Sequence, residues 1–114
     1  MKEIIFAVNV PKLRKALSDA LKHAETGCYF IFKKDVIEIA PRECHPLHSH
    51  ELPVGIQANY RLWIDALLVP IEDVAELIKS LKQEKEKYIK GKAVFDDTAG
   101  FIEIEDKKMF AYYV

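Results

Sequence analysis

Phe6-Ala7-Val8-Asn9-Val10-Pro11-Lys12-Leu13-Arg14-Lys15-Ala16-Leu17 is the stretch that decides the fold, because two periodicities meet inside it. From Glu3 to Val10 the chain is rich in Ile, Phe and Val and alternates weakly, which predicts a strand. Pro11 suits the first turn of a helix, where a missing N–H costs nothing. Leu13, Leu17 and Leu21 then recur four residues apart, with Ala16, Ala20 and Ala24 beside them, forming one apolar helix stripe. Gly27 reads as the stop, since glycine tolerates the left-handed backbone of a helix cap. Tyr29 to Phe32 and Val36 to Ala40 follow as strands, turned by Lys33-Lys34-Asp35.

Further along, Leu67-Leu68-Val69-Pro70-Ile71-Glu72-Asp73-Val74-Ala75-Glu76-Leu77-Ile78-Lys79-Ser80-Leu81 repeats the pattern. Leu62 to Val69 predicts a strand and Pro70 opens a helix, with Glu72 and Asp73 complementing its dipole. Ile71, Val74, Leu77, Ile78 and Leu81 supply the apolar face. Lys82 to Lys87 is a charged tail, and Gly91 reads as its end. Ala93 to Phe95 and Phe101 to Glu105 are strands joined by turn formers at Asp96-Asp97-Thr98-Ala99-Gly100, and Met109 to Val114 is a last strand. Residues also match across the halves: Val10-Pro11 with Val69-Pro70, Leu17 with Leu77, and Val36-Ile37-Glu38-Ile39 with Phe101-Ile102-Glu103-Ile104. The expectation is an α+β fold of duplicated βαββ units, pseudo-repeats over 3–40 and 62–105 in a single domain 1–114. Two helices would pack on one face of an antiparallel sheet. A His-rich loop at 42–53 joins the halves, followed by Val54 to Gln57 as a candidate extra strand.

Composition narrows the function classes. The 114 residues are 50% hydrophobic and 31% charged, which excludes a disordered chain. Seventeen basic residues against 18 acidic leave a net charge of −1, so any nucleic-acid surface must be local. Abundant Lys and Glu beside scarce Asn and Gln point to a thermophilic source. Cys28 begins an apolar run and Cys44 lies in the loop, which is no disulfide framework. The opening Met-Lys-Glu-Ile-Ile-Phe lacks a signal-peptide pattern, and no run approaches ~18 apolar residues. No membrane partner and a cytoplasmic location are the expectations.

Strand running into helix, then antiparallel strands, repeated once, resembles one domain of a sliding DNA clamp. The likeness rests on the two stretches quoted above, which look like strand-into-helix segments of the bacterial beta clamp and its eukaryotic-type relatives. It covers most of the chain except 42–53. The resemblance implies a ring of six such domains, built by self-association into a homo-oligomer, whose helices face DNA or meet DNA-processing proteins. Basic side chains then grip phosphate in a salt-sensitive way. Lys12, Arg14, Lys15 and Lys22 lie off the leucine stripe and are the implied DNA contacts, although such residues also make an ordinary solvated face. Glu72, Asp73 and Glu76 depart from the clamp pattern by placing acid on the second helix.

Arg42-Glu43-Cys44-His45-Pro46-Leu47-His48-Ser49-His50-Glu51 gathers three histidines with a cysteine. Imidazole and thiolate suit zinc or another transition metal. His48 and His50 project to one side of an extended segment, with Cys44 or His45 available to complete a site. The plainer reading is a polar loop whose histidines titrate without a ligand. Asp96-Asp97 reads as a turn, the serines lack an elbow, and no Gly-rich phosphate loop exists. Trp63 with Tyr60 and Arg61 could make a stacking or recognition surface, but on a strand Trp63 reads first as core. The apolar last strand reads as an edge that pairs with a partner chain. Three functions are thus in play. The first is a non-enzymatic clamp-like binder; the others are a small metal-binding protein or metalloenzyme, and a ligand-free structural homo-oligomer.

Overall fold

The computed structural model describes residues 1–43 and 47–114. Among them are β1 (Lys2–Asn9), α1 (Val10–His23), β2 (Gly27–Lys33), β3 (Val36–Pro41), β4 (His50–Pro53) and β5 (Gly55–Ala58), followed by β6 (Ile64–Pro70), α2 (Ile71–Lys82), β7 (Tyr88–Phe95), β8 (Ala99–Ile104) and β9 (Lys107–Tyr113). The predicted mixture of helix and antiparallel strand is present, with strand predominating. The nine strands form one antiparallel sheet in the order β4-β3-β2-β6-β9-β8-β7-β1-β5.

The two ends of that order, β4 and β5, are consecutive in the chain and separated only by Val54. The sheet therefore curls into a nearly closed barrel. One kinked segment pairs first with β3 and then with β1, and the Val54 N–H donates to the Asp35 carbonyl at the bend. β9 plays the matching part, joining β8 to β6, but pairs with β6 only at Leu67↔Tyr113 and Leu68↔Tyr112.

Pairing crosses between the halves. β1 pairs with β7 over Lys2↔Phe95 to Asn9↔Tyr88, and β6 pairs with β2 over Gly27↔Pro70 to Lys33↔Ile64. Each ladder runs on into a helix start. The Val10 N–H donates to the Lys87 carbonyl at 2.8 Å, and the Ile71 N–H to the Thr26 carbonyl at 3.0 Å. These bonds satisfy one otherwise unpartnered donor at each helix N-terminus. They also place the prolines differently from the sequence match: Pro11 is inside α1, whereas Pro70 precedes α2. Asn9 caps α1 by accepting from the Lys12 N–H at 2.9 Å, and α2 has no side-chain cap.

α1 packs beside α2 and against β1 to β4, while α2 lies on β2 and β6. Leu13, Ala16, Leu17 and Ala20 of α1 meet Val74, Leu77, Ile78 and Leu81 of α2 in one buried cluster with Phe6, Phe30, Phe32, Phe95, Ile102 and Met109. β1, β7 and β9 alternate strictly between buried and outward residues, as a sheet with one wet face must. The outward side chains include Lys90, Lys92, Lys108 and Phe110.

Gly27 and Gly91 are strand residues, not helix stops, and no glycine has a positive φ. Each marks a close approach instead. A Cβ on Gly27 would lie 2.5 Å from the Val69 carbonyl oxygen, and one on Gly91 would lie 2.4 Å from Phe6 Cζ. Gly91→Ala therefore forces the Phe6 ring out of a packed core and is expected to cost about 1–3 kcal/mol. Nothing lies within 4 Å of the equivalent position on Gly55. Gly55→Ala should stay within about 0.5 kcal/mol of the parent. Urea denaturation of the two variants checks the contrast.

Candidate nucleic-acid interface and neighbouring polar sites

α1 carries four cations, Lys12, Arg14, Lys15 and Lys22, and one carboxylate, Asp19. With about 3.6 residues per turn, all five project away from the stripe of Leu13, Ala16, Leu17 and Ala20. Lys12, Lys15 and Lys22 are exposed and Arg14 is half-buried. Lys22 stands 4.0 Å from Asp19, an exposed pair worth little in water. α2, packed alongside, carries three carboxylates and two lysines, with Lys79 3.6 Å from Glu76. Positive charge is thus concentrated on one helix of the pair.

Of the loop residues, Cys44 and His45 lie outside the described residues. His48 is stacked on His23, the last residue of α1, and His50 Nε2 lies 3.3 Å from Asp19 Oδ2. His23, distant in sequence, joins the loop histidines only through the fold. The start of the loop is pinned to the α1–β2 turn by Glu43, which accepts from the Glu25 N–H at 2.9 Å and from the Thr26 hydroxyl at 2.6 Å. Those bonds hold the Glu43 carboxyl below its usual range, the Glu25 N–H most strongly. Cys28, in contrast, is a buried thiol, pushed up to about 12 by burial and then by the charge of Glu43. It is a poor nucleophile.

One polar cluster gave no signal in the sequence. Asp65 sits on the core face of β6 with 5% exposure and accepts from the hydroxyls of Tyr60 and Tyr113, both at 2.7 Å. Lys2 Nζ lies 3.7 Å from Asp65 and 5.1 to 5.9 Å from the ring centres of Tyr60, Tyr113 and Phe95. Tyr113 therefore clasps β9 to β6 where the backbone pairing is shortest, while Asn59 fastens the preceding linker to β1 through the Glu3 N–H. Tyr60 is raised above the ordinary tyrosine range by burial and then by Asp65; Tyr113 is raised chiefly by its Asp65 hydrogen bond. Both stay protonated, as donors to a carboxylate must.

Trp63 corrects its expected core placement. It precedes β6, is 77% exposed, and lines a cleft of about 790 Å³ with Ile56, Ile64, Lys33, Lys34 and Arg61. Lys33 bridges Glu38 at 2.7 Å and Glu51 at 3.4 Å, which offsets the repulsion of two carboxylates placed opposite each other across β3 and β4. The last strand is likewise no sheet edge, because β9 lies between β6 and β8 and leaves Phe110 and Tyr112 facing outward. Asp96 forms the expected turn, accepting from the N–H groups of Thr98 and Ala99. Among the described residues no helix is long and apolar enough to cross a membrane.

The Asp65 cluster and Cys28 predict an alkaline limit on stability. Raised pKa values mean that the fold favours protonated Cys28 and tyrosine, whereas the unfolded chain ionises them near 9 and 10. Stability is full below pH 9 and falls as pH rises toward 11. Thermal melts across that range should show the fall, and Cys28→Ala or Tyr60→Phe should flatten it. Asp65→Ala, which strands two hydroxyls, should cost about 3 kcal/mol at pH 7 in urea titrations. No protein-family model, curated protein or solved structure matches the chain, so its functional reading rests on the chemistry of these sites.

Proposed function

We propose that the chain is a non-enzymatic, clamp-like binding protein that self-associates and contacts DNA or DNA-processing proteins through α1. The observation that carries this reading is the row of cations on α1, where Lys12, Lys15 and Lys22 are exposed opposite the buried stripe. A rigid helix presenting lysines at this spacing offers phosphate a sequence-independent electrostatic grip. The curled antiparallel sheet and its two strand–helix–strand–strand halves support the clamp-like assignment as architecture. The buried Cys28 thiol and the partly buried Tyr60 hydroxyl both favour their protonated forms and are poorly suited to act as nucleophiles.

Self-association fits the outward apolar side chains of β9, Phe110 and Tyr112, better than strand addition at that position. The Trp63 cleft, where Lys34, Asp35 and Arg61 surround exposed aromatic and aliphatic groups, is the surface best suited to a protein partner.

Fluorescence anisotropy with labelled duplex DNA tests the reading, together with light scattering for subunit number. Four phosphate contacts give a slope of about −3.6 in log affinity against log salt. Affinity should then fall roughly a hundredfold between 50 and 200 mM salt. Lys12→Glu or Lys15→Glu should each reduce the slope by about one. A strict monomer indifferent to DNA overturns the proposal, and an oligomer without DNA affinity leaves the structural homo-oligomer reading in its place.

A further inference from the structure

The kinked segment that closes the barrel has one edge that is paired at its start and open at its end. Along β4 that edge bonds to β3, and the last bond runs from the Val54 N–H to the Asp35 carbonyl at 3.1 Å. Antiparallel pairing alternates, so every second residue of a strand turns its N–H and C=O to the same side. The bonds from Val10 to Lys87 and from Asn59 to Glu3 set that alternation on β1. Its even-numbered residues face β7 and its odd-numbered residues face β5. Gly55, Gln57 and Asn59 are therefore engaged with β1, and Ile56 and Ala58 turn their backbone groups to the opposite side. That side is where β3 would continue, but the chain turns between β2 and β3 at Lys34 and Asp35. β5 ends the sheet order with β1 as its one neighbour.

We infer that this open edge and the Trp63 cleft beside it seat an extended peptide segment of a partner protein as an added strand. The inference rests on the protein-partner part of the proposed function and gives that partner a chemistry. Ile56 and Ala58 both line the cleft of about 790 Å³, so their free backbone groups face open space. Two N–H and two C=O groups match an extended segment about four residues long, whose main-chain bonds give affinity while side chains give specificity. Ile56 and Ala58 lie opposite the buried Phe6 and Ile4, which puts their side chains on the core-facing side of β5. Partner residues paired with them point the same way, into the cleft, and the residue between points to solvent. The segment is therefore apolar at two alternate positions. Trp63 and Ile64, both exposed and both lining the cleft, are the apolar groups it would cover. Charge at the rim selects an acidic neighbour. Lys33 is engaged by Glu38 and Glu51, but among the described residues Lys34 and Arg61 have no carboxylate partner. Asp35, the one carboxylate lining the cleft, offsets only one of those two cations. The occupant is an extended segment, apolar at alternate positions, with a carboxylate at one end.

Selection of a random peptide library displayed on phage against the immobilised full chain reads the preference. The expected result is enrichment of two apolar residues spaced by one, flanked by Asp or Glu. Synthetic copies of the selected peptides, free of tryptophan, should shift the fluorescence of Trp63, the only tryptophan in the chain. By anisotropy of a labelled peptide, Trp63→Ala and Arg61→Glu should each weaken binding roughly tenfold or more. Ala58→Pro removes an edge donor without touching the pairing to β1, and should weaken binding comparably. N-methylation of the peptide's alternate amides should do the same with the protein unaltered, which decides the role of the edge even where Ala58→Pro disturbs folding. Lys12→Glu should leave peptide affinity unchanged. A library without enrichment overturns the inference, as does full-strength binding of N-methylated peptides or of any selected peptide to Trp63→Ala. So does a Trp63 signal given by single-stranded oligothymidine and by no peptide, which assigns the cleft to nucleic acid. Peptide binding by a chain indifferent to DNA leaves this inference standing and overturns only the α1 reading, so the two fail separately.

Discussion

Neither half of this chain can complete its own sheet. The first strand of each half pairs with the strand that follows the other half's helix, β1 with β7 and β6 with β2. Each helix start then takes a hydrogen bond from the same ladder, Val10 to Lys87 and Ile71 to Thr26. This exchange fixes where both helices begin and brings α1 beside α2. It also leaves the fourth strand of each half to bridge back and close the barrel. Most of these contacts join residues far apart in sequence, so their closure entropy is offset only once both halves are in place. The halves should fold as one cooperative unit.

That constraint separates what the sequence discloses from what it conceals. The helices were legible because Leu13-Leu17 and Val74-Leu77-Ile78-Leu81 carry a local period that tertiary packing only confirms. Strand positions were partly legible too, from β-branched runs, but β4 was missed because His50-Glu51-Leu52-Pro53 has no such run, and β7 was read only over Ala93 to Phe95 because Lys90, Gly91 and Lys92 interrupt its apolar pattern. The role of the glycines was not legible. A glycine after a helix looks like a cap, but Gly27 and Gly91 answer to Val69 and Phe6, residues on other strands. Asp65 was hidden for the same reason. One acidic residue in an apolar strand has no partner in its neighbourhood of sequence except Tyr60, and Lys2 and Tyr113 arrive from the two ends of the chain. The basic row on α1 was visible from residue spacing alone, whereas His23 gained its meaning only when the loop returned to α1.

Charge is distributed on the same plan. The net charge of −1 conceals a basic α1 and an acidic α2 lying side by side. Acid in the first turn of α2 favours that helix through its dipole, and Lys22 with His23 in the last turn of α1 does the same at the opposite pole. Part of the charge pattern therefore serves helix stability. Lys12 has no such explanation: it lies in the first turn of α1, where the dipole disfavours a cation. Its placement against the dipole is the feature that helix stability accounts for least well.

The histidine cluster borders that basic row. Asp19, the one carboxylate on α1, is the group that most weakens the row's field, and it is the group engaged by His50. The same carboxylate stands 4.0 Å from Lys22, so the one negative charge on α1 is shared between a cation of the row and a histidine of the returning loop. Both contacts lie in the C-terminal half of the helix, which leaves the field of the row least opposed toward Lys12 and Lys15.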